Sequence, residues 1–386
     1  MAATMQGPPL IALFWLCTFL LSTIAACPLL FALHLTLGPD ASRGAASACA
    51  AAFVLLALLS YLPRRRMAVP AQRLSCIIVS GCDSGFGESV ARQCAAAGFT
   101  VFAGCLTAGG ARALGGVDGV EALQLDVTSA GDVAALAARV RAWRAGAPGR
   151  AVHALVNNAG VGMAGPVDWC EVSVYERTMA VNFLGHVAVT KALLPLLYDE
   201  GLAAAVAGGV APRVVNVTSV AGLIAAPSLS AYAASKFALE AFSDSLRRES
   251  AAWGLRVALI EPSFLRTPMV EGAQGSAQTA FAALPPATQA RWGAAWAEAG
   301  RRAMLGIVRS AEPAALGAEA ILAAVLDAHP RARYRAGTPG VYLLPYIAAL
   351  PAPAADAIMA LSTRSTNARA TPAAILAARK AADKRP

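Results

Sequence analysis

Between residues 10 and 62 the chain is almost wholly apolar, and beyond residue 70 short apolar runs alternate with longer mixed stretches. Leu10–Leu37, LIALFWLCTFLLSTIAACPLLFALHLTL, and Ala45–Leu62, AASACAAAFVLLALLSYL, flank the short segment GPDASRG, which holds Asp40 and Arg43. Each run is long enough to cross a hydrocarbon core of roughly 30 Å at about 1.5 Å per residue, the Ala-rich second one only just. The stretch before them, MAATMQGPPL, carries no positive charge. The first run also exceeds the apolar core of a secretory leader, so the pattern predicts an uncleaved anchor. Arg64 to Arg66 follow the second run directly, with Arg73 close behind. Cationic flanks stay on the cytoplasmic side, which places the following domain there. Two crossings return the N-terminus to that side and one leaves it opposite; both readings stand.

Six apolar runs follow, each with the length and β-branched content of a buried strand: 74–80, 99–104, 120–127, 152–157, 213–219 and 256–261. Helical patterns separate them, including one ending near Ala97 and an Ala-rich one ending near Ala145. Buried strands alternating with helices predict an α/β domain, a doubly wound parallel sheet of Rossmann type covered on both faces. The organisation expected is an anchor over 1–66, one catalytic domain over 71–338, and an apolar, proline-broken segment with a basic tail over 339–386. The stretch 201–209, GLAAAVAGG, reads as a flexible insertion. In the last part, GVYLLPYIAAL is too short to span a membrane and either dips into it or packs on the core, and 373–384 reads as a short basic helix on headgroups.

Composition sharpens this picture. The chain has 386 residues, 57% of them hydrophobic, and a mean hydropathy of +0.55, above an ordinary soluble enzyme. The net charge of +9 comes from residues at the membrane exit, at Arg301–Arg302 and in the tail from Arg364. No long basic tract with interleaved aromatics occurs, so anionic headgroups rather than nucleic acid are the expected partner. The eight cysteines show neither paired metal-ligand spacing nor a disulfide framework, and no metal site is expected. Reduced, buried thiols on a cytosol-facing protein fit that scatter.

The chemistry concentrates in two places. After the first strand comes SGCDSGFGES, in which Gly81, Gly85 and Gly87 allow a tight turn and a close backbone approach. A helix opening there offers its free N–H groups to a phosphate. Further on, LSAYAASKFAL sets Tyr232 and Lys236 four apart, one turn apart on one helix face. Together with LDVT at 125–128, NNAG at 157–160, Asn182 in VNFLG and Ser219 in NVTSVAG, thirteen positions before Tyr232, these resemble the short-chain dehydrogenase/reductase family over about residues 70–340. GCDSGFG, VFAGCL, EAFSDSLRRE and HPRARY are similar to its membrane-associated branch, which contains retinol dehydrogenases, oxidative 17β- and 11β-hydroxysteroid dehydrogenases and D-3-hydroxybutyrate dehydrogenase.

The resemblance implies that Tyr232 is the general acid/base, that Lys236 favours its phenolate and bonds the nicotinamide ribose, that Ser219 holds the substrate oxygen, and that Asn182 supports a water-linked proton path. It implies cofactor contacts at Gly81, Ser84, Gly85, Phe86 and Gly87 for the pyrophosphate, Asp126 and Val127 at the adenine, Asn157, Asn158, Ala159 and Gly160 beside the adenosine, and Thr267 at the carboxamide. The family's usual Pro-Gly is replaced by Pro262-Ser263. Cys105 ends the second strand where NAD enzymes carry an acid, and NADP-binding relatives place a base where Ser84 or Leu106 stands. With Asp83 beside them to repel a 2′-phosphate, NAD is expected over NADP.

The segment 263–312 is expected to cover the substrate, offering Phe281, Leu284, Trp292, Trp296, Met304 and Leu305 either as an apolar pocket or as a cover packing on its own domain. A retinoid or hydroxysteroid alcohol is the expected substrate class. D-3-hydroxybutyrate is the alternative and would need Arg266, Arg291, Arg301 or Arg302 in the pocket; a non-catalytic membrane scaffold is the alternative of another class. The membrane expected is that of the endoplasmic reticulum, or else a mitochondrial one. The family's habit of pairing through the helices after Asn182 and Tyr232 makes a homodimer possible.

Overall fold

The structure is a computed structural model that describes residues 74–162, 165–338, 344–367 and 372–382. Both apolar runs before residue 63 lie outside the described residues. Seven parallel strands form one sheet in the order β3-β2-β1-β4-β5-β6-β9. They are β1 Ser75–Ser80, β2 Thr100–Cys105, β3 Val120–Gln124, β4 Ala151–Asn157, β5 Arg213–Val217, β6 Arg256–Pro262 and β9 Arg333–Ala336; two residues each in β7 (Leu265–Arg266) and β8 (Glu312–Pro313) make a separate small pair. The connections are α1 Gly85–Ala96, α2 Ala108–Leu114, α3 Ala130–Ala145, α4 Val172–Met179, α5 His186–Ala207, α6 Ser230–Glu249, α7 Pro268–Ala282, α8 Pro286–Trp292, α9 Ala294–Ser310 and α10 Ala315–Leu326.

The strand sequences are apolar on both sides because both faces are covered. Ile77 and Val79 of β1 pack with Val90 and Cys94 of α1 and Ile321 and Val325 of α10. Cys76 and Ile78, one residue out of phase, pack on the other face with Leu136 of α3 and Leu193 and Leu197 of α5. The order reverses between β1 and β4, and a crevice opens at their carboxyl ends. The four cysteines at 76, 82, 94 and 105 are free and buried, as expected of reduced thiols.

Three expectations need correction. The third strand ends at Gln124 and not Val127, because the Asp126 carboxylate accepts the Thr128 amide at 2.9 Å and turns the chain. The stretch at 201–209 is no flexible insertion: it is the last two turns of α5, closed by Gly208 at φ +68°. Gly201 lies against the Trp253 carbonyl oxygen, an approach that any side chain would block. A seventh strand, β9, also joins the sheet, from a segment too rich in arginine to read as a buried run. The run Val172–Ala207 is long and apolar enough to cross a membrane, yet its Val189, Leu193 and Leu197 pack against the sheet as cover. In the last segment Leu344–Ala348 is helical with Ile347 buried, and Ala373–Ala382 forms a helix with Ile375 and Leu376 exposed.

Candidate active site

The turn between β1 and α1 is shaped by its glycines. Gly81 and Gly85 sit at φ +71° and +65°, a region that side chains rarely enter. A Cβ on Gly81 would stand 2.7 Å from Ala159 Cα, and one on Gly87 would stand 2.6 Å from Asn158 Nδ2. Their absence lets the end of β4 close on the turn. Asn158 Nδ2 donates to the carbonyls of Ser80 and Gly81, both at 3.0 Å, and Ser80 Oγ accepts the amides of Asn158 and Ala159 at 3.0 and 3.1 Å. The open N-terminus of α1, capped by Ser84 with no side-chain bond, borders a cavity of about 640 Å³. Free N–H groups at that end suit a phosphate.

At one end of the cavity Asp83 Oδ2 accepts the Leu106 amide at 2.7 Å, and Oδ1 accepts the Thr107 amide and hydroxyl at 2.9 and 2.7 Å. Burial works to raise the Asp83 carboxyl, but the Thr107 and Leu106 donors outweigh it and leave it below its ordinary value. The donors at the end of β2 are therefore occupied by a fixed negative charge.

At the other end stand Ser219, Tyr232 and Lys236. Lys236 is 4% exposed; its Nζ donates to Val217 O at 2.9 Å and lies 5.6 Å from the centre of the Tyr232 ring. Burial pulls its ammonium down from 10.5 to about 8, opposed by Glu240. The charge thus costs the fold roughly 3 kcal/mol, in full below pH 8 and fading between 8 and 10.5. Burial raises the Tyr232 phenol, and the Ser219 hydroxyl works against that rise. Ser219 is both a cap and a cavity residue: its Oγ accepts the Ala221 amide at 3.1 Å and donates only weakly to Pro262 O at 3.4 Å. That leaves its proton free to turn to a ligand.

Asn182 sits in a π-helical turn, Ala180–Gly185, between α4 and α5. Such turns occur mostly where an extra residue re-aims a side chain. Here the amide clamps three elements: Oδ1 accepts Val161 N at 2.8 Å, and Nδ2 donates to Val161 O at 2.9 Å and to Ser235 Oγ on α6 at 3.0 Å. One turn on, His186 Nε2 must donate to Ala159 O at 2.7 Å, since a carbonyl only accepts, and burial lowers its pKa to about 3.

The cavity brings together Gly81, Ser84, Gly85, Phe86, Asp126, Val127, Asn158, Ala159, Gly160, Ser219, Tyr232, Lys236 and Thr267. Gly87 and Asn182 stand behind its wall. Asn157 lies deeper still: its Nδ2 bonds Thr190 Oγ1 and Asn216 Oδ1, so it braces β4 and not the pocket floor. Thr107, Thr218, Arg177, Val181 and Met269 also line the cavity, and no motif in the sequence signals the last three. Ser263, in place of the usual glycine, is accommodated by Gly337 at φ +89°, where a side chain would collide with Ser263 Oγ.

The cover aromatics pack on one another and not into the cavity. Trp169 meets Phe281 at a tilt and Trp292 and Trp296 edge-on, at 5.3, 5.9 and 5.2 Å between centres, and Asp168 accepts from Arg291 and Trp292 at 2.9 and 2.8 Å. Of the four arginines a small carboxylate substrate would need, Arg291 is held by Asp168, Arg301 and Arg302 by Glu298, and Arg266 bonds Ala311 O.

A glycine turn against a helix N-terminus and a Ser-Tyr-Lys set at opposite ends of one cavity define a dinucleotide-dependent enzyme class. The sequence profile described as short chain dehydrogenase matches residues 75–277. Retinol dehydrogenase 5 of Mus musculus is 40% identical over 312 residues, covering 79% of this chain and 93% of its own length. Human 17-beta-hydroxysteroid dehydrogenase type 6 is 33% identical over 320 residues, with 81% and 96% covered. Among solved structures, a short-chain dehydrogenase from Streptomyces avermitilis superposes with a TM-score of 0.56 at 27% identity, over 77% of this chain and 98% of that one. The chain belongs to the short-chain dehydrogenase family, in its retinol and hydroxysteroid dehydrogenase branch, and is an oxidoreductase.

Proposed function

We propose that the protein is an NAD-dependent dehydrogenase that interconverts a lipophilic alcohol of the retinoid or hydroxysteroid class and its carbonyl. The observation that carries this reading is that Ser219, Tyr232 and Lys236 face the same cavity as the glycine turn. Gly81, Ser84, Gly85 and Phe86 would hold the pyrophosphate, Asp126 and Val127 the adenine end, and Thr267 the nicotinamide end. A bound nicotinamide supplies the hydride acceptor or donor. The chain's own part is the proton: Tyr232 takes it from the alcohol or returns it to the carbonyl, Ser219 orients that oxygen, and Lys236 steadies the phenolate by its charge. Asn182 fixes α6 against the β4 loop, and so the distance between the two halves of the site.

Retinol dehydrogenase 5 and the 17-beta-hydroxysteroid enzyme support the substrate class by their names, and the apolar N-terminal runs suit an alcohol that partitions into a bilayer. A membrane-bound domain facing the cytosol is part of the same reading. The engagement of the four candidate arginines elsewhere weighs against a hydroxyacid. The test is oxidation of retinol, steroid alcohols and D-3-hydroxybutyrate by the full chain in detergent, followed by NADH absorbance. Turnover of a retinoid or steroid is expected. Turnover of D-3-hydroxybutyrate alone, or of nothing, overturns the reading.

NAD is favoured because Asp83 occupies the amides that a 2′-phosphate would need. Like charges about 5 Å apart cost roughly 3 kcal/mol at an effective dielectric near 20. Asp83→Asn combined with Leu106→Arg is therefore expected to raise kcat/KM for NADP on the order of 100-fold. An unchanged NADP:NAD ratio would remove Asp83 from cofactor choice.

A further inference from the structure

Every fourth residue of α6 from Tyr232 onward is ionisable: Tyr232, Lys236, Glu240, Asp244 and Arg248. They form one row along the helix. The first two belong to the proposed chemistry, and the third leads away from it into the protein. Glu240 is 7% exposed, and Glu261, which joins it from β6, is wholly buried. Carboxylates at that depth stay ionised only beside a cation.

The cation comes from β9, out of the HPRARY stretch. Arg333 reaches Glu240 Oε2 through Nη2 at 3.0 Å, Asp244 Oδ1 through Nη1 at 3.2 Å and Glu261 Oε1 through Nε at 2.9 Å. Arg335, opposite Glu261 in the sheet register, takes its Oε2 at 2.9 Å. Asp244 has further partners in Arg247 and Arg248 at the surface. Among the described residues Arg333 is the one cation paired with Glu240, and burial pushes the Glu240 carboxyl above its ordinary value, with the Thr218 side chain and Arg333 working against that rise. Gly222 seals the row from outside: a Cβ there would stand 2.9 Å from Glu240 Cγ and 3.0 Å from Lys236 O.

We propose that Glu240, clamped by Arg333, is a positioning residue that holds Lys236 as the ammonium ion while Tyr232 exchanges its proton. This rests on the reading of Tyr232 and Lys236 given above. The lysine's one hydrogen bond is to the neutral Val217 carbonyl, so nothing in its first contacts offsets its burial. His186, which faces it from α5, is neutral down to about pH 3 and brings no negative charge. Tyr232 itself brings none until it ionises. Glu240 is the group whose charge opposes the downward pull of burial on Lys236.

Removing the carboxylate therefore moves the lysine's midpoint from about 8 toward neutrality. Lys236 then loses its proton at a lower pH, Tyr232 loses its cation, and forming the phenolate demands a higher pH. The acidic limb of kcat/KM for alcohol oxidation shifts upward.

Lys191, Lys236, Lys380 and Lys384 are the chain's four lysines, so 13Cε-lysine NMR of the full chain in detergent resolves Lys236, assigned by Lys236→Arg. In Glu240→Gln its midpoint is expected to fall by about one unit, and the acidic limb to rise by a similar amount. Glu240→Met, which buries no amide, gives the same fall should the glutamine variant fail to fold. Glu240→Asp restores the wild-type midpoint. Asp244→Asn takes a carboxylate from the same arginine one turn further along the helix, about two turns from Lys236, and leaves the midpoint in place. An unmoved midpoint in Glu240→Gln or Glu240→Met overturns the proposal, as does an equal shift in Asp244→Asn. If wild type oxidises no alcohol, the proposed reaction fails, and the lysine titration still decides the role of Glu240.

Discussion

Tyr232→Phe is expected to lower kcat for alcohol oxidation by about 10³-fold or more while changing NAD affinity less than about twofold. The substitution removes one oxygen from a ring whose position is set by α6, so the cavity keeps its shape. What disappears is the group that exchanges the proton, and a positioned acid/base contributes about 10²–10⁴-fold. Ser219 does not replace it, because the groups its hydroxyl touches, the Ala221 amide and the Pro262 carbonyl, cannot take up a proton in its place. Lys236 does not either, since its Nζ is tied to Val217 O, 5.6 Å from the centre of the ring. Steady-state rates together with fluorescence titration of the dinucleotide separate the two effects. A variant retaining a tenth of wild-type kcat would mean that the proton travels by another route.

Arg213→Met is expected to lower the thermal midpoint by about 8–16 °C. Arg213 opens β5 and is fully buried, yet among the described residues no carboxylate bonds it. Its Nη1 donates to the carbonyls of Val325 and Asp327, both at 2.7 Å, and of Ala324 at 3.4 Å, while Nη2 donates to Ala211 O at 2.7 Å. It therefore caps the end of α10 with a charge of the favourable sign. Burial brings its guanidinium down to about 10, so it stays charged at neutral pH. Methionine fills similar volume but strands those carbonyls, of which only Val325 O keeps a donor, from His153 Nε2 at 2.8 Å. Each stranded group costs about 1–3 kcal/mol, and about 4 kcal/mol in all corresponds to the shift named. Scanning calorimetry beside the surface control Arg256→Met checks it; equal midpoints for the two variants would show that Arg213 is dispensable.

The residues that carried the sequence reading were those whose chemistry and local geometry coincide. Gly81 and Gly85 read as a turn because a left-handed backbone needs glycine, and that is the conformation they adopt. Tyr232 and Lys236 read as a pair because four residues make one helical turn, a spacing that needs no tertiary knowledge. The strands were legible as apolar runs for a related reason, since burial on both faces leaves no polar phase. That same rule concealed β9. Its RYRA carries arginines at alternate positions, and they are tolerable only because Glu240, Asp244 and Glu261 meet them from elsewhere in the chain. The reach of α5 through residue 207 was hidden for the opposite reason: GLAAAVA is weakly patterned, and contact with Trp253 decides its state. Arg177, Val181 and Met269 reach the cavity through the fold alone, from α4, the π-helical turn and α7.

Parallel strand β9 lies some ninety residues beyond the helix whose carboxylates it neutralises. On the ribosome, α6 and β6 are therefore complete well before Arg333 and Arg335 leave the exit tunnel. During that interval Glu240 and Glu261, which end up in the interior, have no interior counter-ion and stay hydrated. The last strand of the sheet thus acts as a completion signal: the helix bearing Tyr232 and Lys236 can settle fully into the core only once nearly the whole domain has been made.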